Sequence, residues 1–327
     1  MPRPLRTDAA GEWHHLMNRG EAHQVIFVGA EDMRYFLSCV VRSVRRKEIE
    51  IHAYCILNNH FHLLARSPRG CVSTAMQRIQ SRYVRWFNRR RTRDGSPLKG
   101  RFHSVRVQTQ TYRRVLVSYI DDNPVNAGLA PHAEDYRFGS GHGYAQTRGP
   151  IWLNREWIET EAVRASEGRR FTYGLYRDRF PSQVPSGMRE WIERRVMQER
   201  AWNDPLDAWI TATPDQVQQW LQEHDSDALP LLPVDPLLGA LSRRSALIRR
   251  CAPDLGRSHA STFQILSAGL LRGLCGLTIM EICARRGHCS TTVRRLIHRH
   301  RELLTSDREY AACAAAVTRE ALHLFPF

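Results

Sequence analysis

No two of the eight cysteines stand at the C-x-x-C spacing, which removes the commonest redox motif and the zinc ribbons built on paired thiols. Cys39, Cys55, Cys275 and Cys283 sit among apolar neighbours, as buried free thiols do. The expectation is therefore a reducing cytoplasm and no structural disulfides. No stretch nears the roughly eighteen apolar residues of a membrane span. The start, Met1-Pro2-Arg3-Pro4-Leu5-Arg6, lacks the apolar run of a secretory leader. Internal repeats and low-complexity tracts are also missing. Acidic residues are scarce, with 33 Asp plus Glu against 48 Lys plus Arg and a formal net charge of +15. Most of the bases are arginine, which grips phosphate bidentately and stacks on bases. So basic a chain is expected to meet a polyanion, and nucleic acid is the usual one.

What is present suits a folded protein. The 327 residues suffice for two domains, and 42% apolar with 25% charged residues excludes bulk disorder. Residues 12–18 read as a strand closed by Arg19-Gly20. Met33, Phe36, Leu37, Val40, Val41 and Val44 recur at helical spacing over 31–46. Ile49 to Leu57 alternates as a strand, with Ile49, Ile51, Ala53, Cys55 and Leu57 on one face. Asn58-Asn59 turns it into a second strand, Phe61 to Ala65. A long basic helix covers 72–91, with Met76, Ile79, Tyr83, Val84 and Phe87 inward. A short strand spans 102–107. A helix then runs from about Tyr112 to Asp122 and is expected to stop before Asn123-Pro124, because proline disfavours a helical residue before it. The order predicts an α+β domain, an antiparallel sheet with helices on one face, closing near residue 145.

Residues 146–245 read as a helical connector with no legible role, including helices over 188–200 and 214–224. Residues 246–327 read as an all-α domain. Within it, Thr278 to Arg286 is a helix and Gly287-His288-Cys289 a turn. Ser290 is the expected N-cap of a second helix through Arg301. Small Cys283 and Gly287 suit a close helix approach. This is helix-turn-helix form, and Arg294, Arg295 and Arg299 are its candidate DNA contacts; a plain helical hairpin is the competing reading.

Two imidazoles on one strand carry the chemistry. His60 and His62, with Phe61 between them, project to the same side and can share a metal ion. Fifteen histidines make incidental pairs common, and His14-His15 reads as one. Tyr119 and Asn123 are four apart on a helix, hence on one face. Asn123 offers a side-chain carbonyl to a metal. From spacing alone, Tyr119 serves equally as a nucleophile or as a core residue beside Val115 and Leu116. Tyr112, seven residues upstream, is the alternative nucleophile.

An ordered set of segments is more specific than any pair. It comprises Trp13-His14-His15-Leu16-Met17-Asn18-Arg19-Gly20, then Ala53-Tyr54-Cys55-Ile56-Leu57-Asn58-Asn59-His60-Phe61-His62-Leu63-Leu64. Lys99-Gly100-Arg101-Phe102, Tyr119 to Leu129 and Asp135-Tyr136-Arg137-Phe138-Gly139-Ser140 follow. Over about residues 10–145 it resembles the single-tyrosine HUH transposases, and within them the REP-associated tyrosine transposases. It departs from them at Leu57-Asn58, where relatives often carry Met-Pro, and after Tyr136, where Trp-Ser-Ser is usual. The resemblance implies a ferredoxin-like HUH nuclease domain that holds Mg2+ or Mn2+ on His60, His62 and Asn123. It implies Tyr119 as the nucleophile, cutting one strand of a hairpin or palindromic repeat through a 5′-phosphotyrosine. Single-stranded or hairpin DNA is the implied partner of a monomer or homodimer in the cytoplasm, associated with the nucleoid. Arg19, Arg82, Arg85, Arg89, Arg90, Arg91, Lys99 and Arg101 flank the site in sequence and fit a DNA path; Arg19, Arg82, Arg89, Lys99 and Arg101 lead that set. Two other functions compete: a DNA-binding regulator with an inactive HUH domain, and a zinc hydrolase, which lacks an evident acidic third ligand.

Overall fold

A computed structural model of the protein describes residues 8–164, 166, 169–181, 183–198, 204–223, 229–253 and 260–325. The chain divides into two compact units, Met1–Pro185 and Ser186–Phe327. The structural division falls at 185, and the helices that follow residue 145 belong to the first unit up to that point.

The first unit begins β1 (Trp13–Arg19), α1 (Ala30–Arg45), β2 (Glu50–Ile56), β3 (His60–Arg66), α2 (Val72–Arg91), β4 (His103–Arg106) and α3 (Gln110–Asn126). The four strands form one antiparallel sheet in the order β2-β3-β1-β4. That order, with α1 and α2 as the two crossovers, is the ferredoxin-like arrangement. The amphipathic spacing of α1 and α2 buries Met33, Phe36 and Val40 with Met76, Ile79, Tyr83 and Phe87. Their core reaches the sheet where Phe36 meets Phe61, ring centroids 4.6 Å apart. The expected antiparallel sheet with a helical face is therefore present. A further layer, α3, contacts β2 and β3 and lies on the opposite face, where the Tyr119 ring meets His62.

Two local details differ from the sequence pattern. In β2, Ile51 and Ala53 pair with Ala65 and Leu64, adjacent residues that point to opposite faces. A bulge at His52 thus flips the alternation, and the five residues expected on one face divide between two. In α3, the helix continues through Pro124 to Asn126. Pro124 sits in the last turn, where a missing N–H costs a single ladder bond, so the expected stop at Asp122 comes one turn later.

Downstream of α3 come α4 (Ser140–Ala145), α5 (Glu156–Val163) and α6 (Tyr173–Arg179). Bridges from Gly139 to Cys55 and from Leu153 to Ile51 cover the outer edge of β2, hiding backbone groups that would otherwise template pairing.

The second unit is helical among its described residues. It contains α7 (Ser186–Met197), α8 (Leu206–Thr211), α9 (Pro214–Glu223), α10 (Val234–Arg243), α11 (Ser245–Arg250), α12 (Thr262–Gly273), α13 (Ile279–Arg286), α14 (Ser290–Ser306) and α15 (Arg308–Leu324). The helix expected over 188–200 ends at Met197, and positions 199 and 200 lie outside the described residues. A capping box joins Thr278 and Glu281 at the start of α13. Gly287 ends α13 with φ +66°, and a Cβ there would meet nothing within 4 Å. The glycine answers to that left-handed turn, not to the close helix approach expected of it. Cys289 holds the N-cap position of α14, making Ser290 the first helical residue. Among the described residues no helix is long and apolar enough to cross a membrane.

Candidate metal and tyrosine site

Strand alternation and one helix face assemble the site. On β3, Phe61 turns into the α1–α2 core while His60 and His62 turn toward α3. Their rings approach edge to face, centroids 5.0 Å apart. On α3, Tyr119 and Asn123 stand one turn apart. The Tyr119 ring lies edge-on to His62 at 5.4 Å, and Asn123 hydrogen-bonds His60. The four residues separated in sequence are therefore brought together.

Each imidazole is gripped at Nδ1. Asn59 Oδ1 stands 2.6 Å from His60 Nδ1. An amide oxygen only accepts, so the His60 proton sits on Nδ1 and Nε2 keeps its lone pair. Burial, with His23 and Arg19 adding like charge, pushes His60 down to about 4. It is neutral at physiological pH, the state a metal ligand needs. Asn123 donates one Nδ2 proton to the Tyr119 carbonyl at 2.7 Å, and its second Nδ2 proton and its Oδ1 remain for the site. Two imidazole nitrogens and one amide oxygen suit a divalent ion of borderline to hard character. Among the described residues, no cluster of three His, Cys, Asp or Glu side chains is placed to hold a metal; the polar group beside the imidazole pair on α3 is the Asn123 amide.

Tyr119 is 2% exposed and Asn123 7%. Tyr119 is thus buried, as the core reading expects, with its ring against the histidines. Tyr112 is buried on the same helix, and the described ring contacts to His15 and His62 are made by Tyr119.

The arginines divide. Arg19 pairs with His60 in the β1–β3 register, and the Lys99 amide donates to the Arg19 carbonyl at 2.8 Å. The 97–101 loop, carrying exposed Lys99 and Arg101, therefore runs past the histidine end of the sheet. Arg82 and Arg89 lie on α2, behind the Phe36 and Tyr83 core on the other face, and do not converge on the pair. Arg90 and Arg91 tie α2 to Glu31 and Asp32 at 2.5 and 2.6 Å. In the second unit Arg294 and Arg295 are exposed on α14, while Arg299 pairs with Glu302 at 3.0 Å.

Three site features escaped the sequence reading. His15, taken for half of an incidental pair, lies under His62. Asn59, taken for a turn residue, holds His60. Asp121 is buried between the site residues and accepts from Ser140 Oγ at 3.1 Å, the Gly141 amide at 3.1 Å and Tyr176 Oη at 2.6 Å. Period-two alternation from Trp13 marks His15 as facing with the β3 histidines once β1 and β3 are paired; nothing local marks Tyr176.

Residues 12–123 match the family model described as "Transposase IS200 like". No curated protein matches the chain. A solved structure of a REP-associated tyrosine transposase bound to a REP hairpin is similar at 20% identity, covering 47% of this chain and 90% of that one, with a TM-score of 0.38.

Proposed function

We propose, from the match of residues 12–123 to the IS200-like transposase model, that this protein cuts and rejoins single-stranded DNA at hairpin-forming repeats through Tyr119. One observation carries the reading: a tyrosine and an amide one turn apart on α3 close over an imidazole pair on β3.

In the reaction, Tyr119 Oη bonds to the phosphorus of the scissile phosphodiester and the bond to the 3′ oxygen breaks. The phenolic proton ends on the departing 3′-hydroxyl, and the 5′ end stays on the tyrosine. One ester replaces another, so a strand's 3′-hydroxyl can reverse the step without a nucleotide cofactor. His60, His62 and Asn123 would hold a Mg2+ or Mn2+ ion, which would supply charge stabilisation at the scissile phosphate. Asn59 orients the His60 ring, and Asn123 keeps the end of α3 in register with it. Arg19, Lys99 and Arg101 supply phosphate contacts beside the pair, and Arg294 and Arg295 on α14 read DNA separately. The phenol is covered in the free protein, so the incoming strand must uncover it.

That burial also favours a second reading, a regulator that binds DNA without cutting it. One experiment separates the two. Labelled hairpin single strands from repeats flanking the gene are incubated with protein and Mg2+ or Mn2+. The wild type forms a covalent adduct and Tyr119→Phe forms none while still binding. An adduct in Tyr119→Phe overturns the assignment, and a wild type that binds but never cuts supports the regulator.

A further inference from the structure

The grip on the second histidine comes from a residue no motif points to. His15 lies at the centre of the sheet on β1, 0% exposed. Its Nε2 stands 2.9 Å from His62 Nδ1, and the two rings lie edge to edge, centroids 5.1 Å apart and planes within 29°, as an in-plane hydrogen bond requires. The Tyr119 ring meets the same His15 edge-on at 6.0 Å, so His15 is floor to both the candidate ligand and the candidate nucleophile.

A contact between two imidazole nitrogens uses one proton, and its direction decides what His62 can do. If His15 donates, His62 carries its proton on Nε2 and that nitrogen has no lone pair to offer. If His62 donates from Nδ1, His15 carries its own proton on Nδ1 and His62 keeps the lone pair on Nε2. His60 already has this second arrangement, because its Nδ1 faces the acceptor-only oxygen of Asn59. We propose that His15 is a positioning residue that accepts the His62 Nδ1 proton, holding the ring in the tautomer and orientation that present Nε2 to a divalent metal beside His60. This rests on the metal-and-tyrosine reading above and gives that site its second outer support. Metal-bound histidines characteristically hand their other N–H to such a partner, and losing the partner typically costs roughly 10- to 100-fold in metal affinity.

The position suits the task. A partner on a loop would let the ring swing, whereas β1 is paired on both sides, to β3 and β4. Met17 pairs with His62 itself, and His15 with Leu64 one step along, so His15 sits diagonally under His62 at a fixed offset. Its neighbour His14 faces the other way, where Ser104 Oγ approaches Nδ1 at 3.2 Å, and does not share the role.

The test is Mn2+ binding by the full-length apo-protein, read by electron paramagnetic resonance, for wild type, His62→Ala, His15→Phe and His15→Gln. His15→Phe keeps a ring in the space but removes the acceptor, and should weaken Mn2+ binding by roughly 10- to 100-fold. His15→Gln restores an acceptor oxygen and should recover most of that loss. Equal affinity in wild type and His15→Phe, or equal loss in both variants, overturns the proposal. Nitrogen-15 NMR of the wild-type imidazoles reads it without any variant: His62 should show a protonated Nδ1 and a bare Nε2, and a protonated Nε2 overturns it. Wild-type Mn2+ uptake unaffected by His62→Ala instead overturns the underlying catalytic reading.

Discussion

The Tyr176 hydroxyl donates to Asp121 Oδ2 at 2.6 Å across 55 residues of sequence. Asp121 lies between Tyr119 and Asn123 on α3, and Tyr176 on α6, beyond the family match. Burial pushes the Asp121 carboxyl up to about 6 despite three hydrogen bonds. Removing one donor leaves a buried acceptor short, at a cost of about 1–3 kcal/mol. Tyr176→Phe should lower the unfolding free energy by that amount, measured in urea. A chain ended near residue 145 should lose more than Tyr176→Phe alone, whereas one ended at 185 should keep the first unit's cooperative melt. A stable, cooperative 1–145 fragment would contradict this.

If Asn123 is the third ligand proposed above, Asn123→Ala should lower Mn2+ affinity by more than the roughly 10- to 100-fold of an outer-shell partner. It also frees the Tyr119 carbonyl from the Asn123 amide. Calorimetric Mn2+ titration of the folded variant checks it; unchanged affinity removes Asn123 from the ligand set.

Gly269 on α12 faces His300 on α14, and a Cβ there would run into the imidazole ring. His300 is held by Tyr310, its Nδ1 2.7 Å from the hydroxyl, so the ring has nowhere to turn. Gly269→Ala should therefore destabilise the second unit by about 1–3 kcal/mol or more through overpacking, although alanine normally favours a helix by about 1 kcal/mol. A raised melting temperature would show that the helices part freely.

Burial pushes His300 down to about 3 and, helped by neighbouring positive charge, His60 to about 4; it also lowers His52. A histidine depressed in the folded state stabilises above its ordinary value near 6.5, and that stability is lost as pH falls toward the folded value. Asp121 works the other way. Its raised carboxyl contributes below the ordinary carboxylate range, and that contribution is lost as pH rises through about 6. These histidines, joined at the acid end by carboxylates held low such as Glu281, oppose Asp121, so apo-protein stability should fall between pH 6.5 and 4. Urea midpoints that stay level across this window would overturn the balance.

If α14 binds DNA, Arg294→Ala and Arg295→Ala should each weaken binding across sequences. Every phosphate left without its arginine should flatten the plot of log affinity against log salt by about 0.9 for duplex or 0.7 for single strand. Anisotropy titrations at several salt concentrations read the slope. An unchanged slope in both variants leaves α14 as a plain helical hairpin.

The sequence carries the sheet and its helices through periodicity. Val72–Arg91 and the strands beside His60 announce themselves by spacing. Long-range contacts do not. The bulge at His52 has no local signal because Ile51, His52 and Ala53 are all buried, so the pattern holds no polar mark of a face change. Pro124 looks like a terminator until its place in the last turn is known. His60, His62, Tyr119 and Asn123 are visible as spaced pairs, but their meeting depends on α3 taking the sheet face opposite α1 and α2. Tyr176 cannot be found from spacing at all, because its partner is 55 residues away.

The doubled histidine of β1 bears on how the strand finds its place. A strand slipped by one residue turns every side chain over. Here a slip in one direction would bring His14 into the place of His15 and still leave an imidazole beside His62. Leu16, fully covered and paired with Leu63 in the core, would be thrown onto the His62 face by the same slip. The alignment of the His15–His62 contact is thus enforced by an aliphatic neighbour with no chemistry of its own.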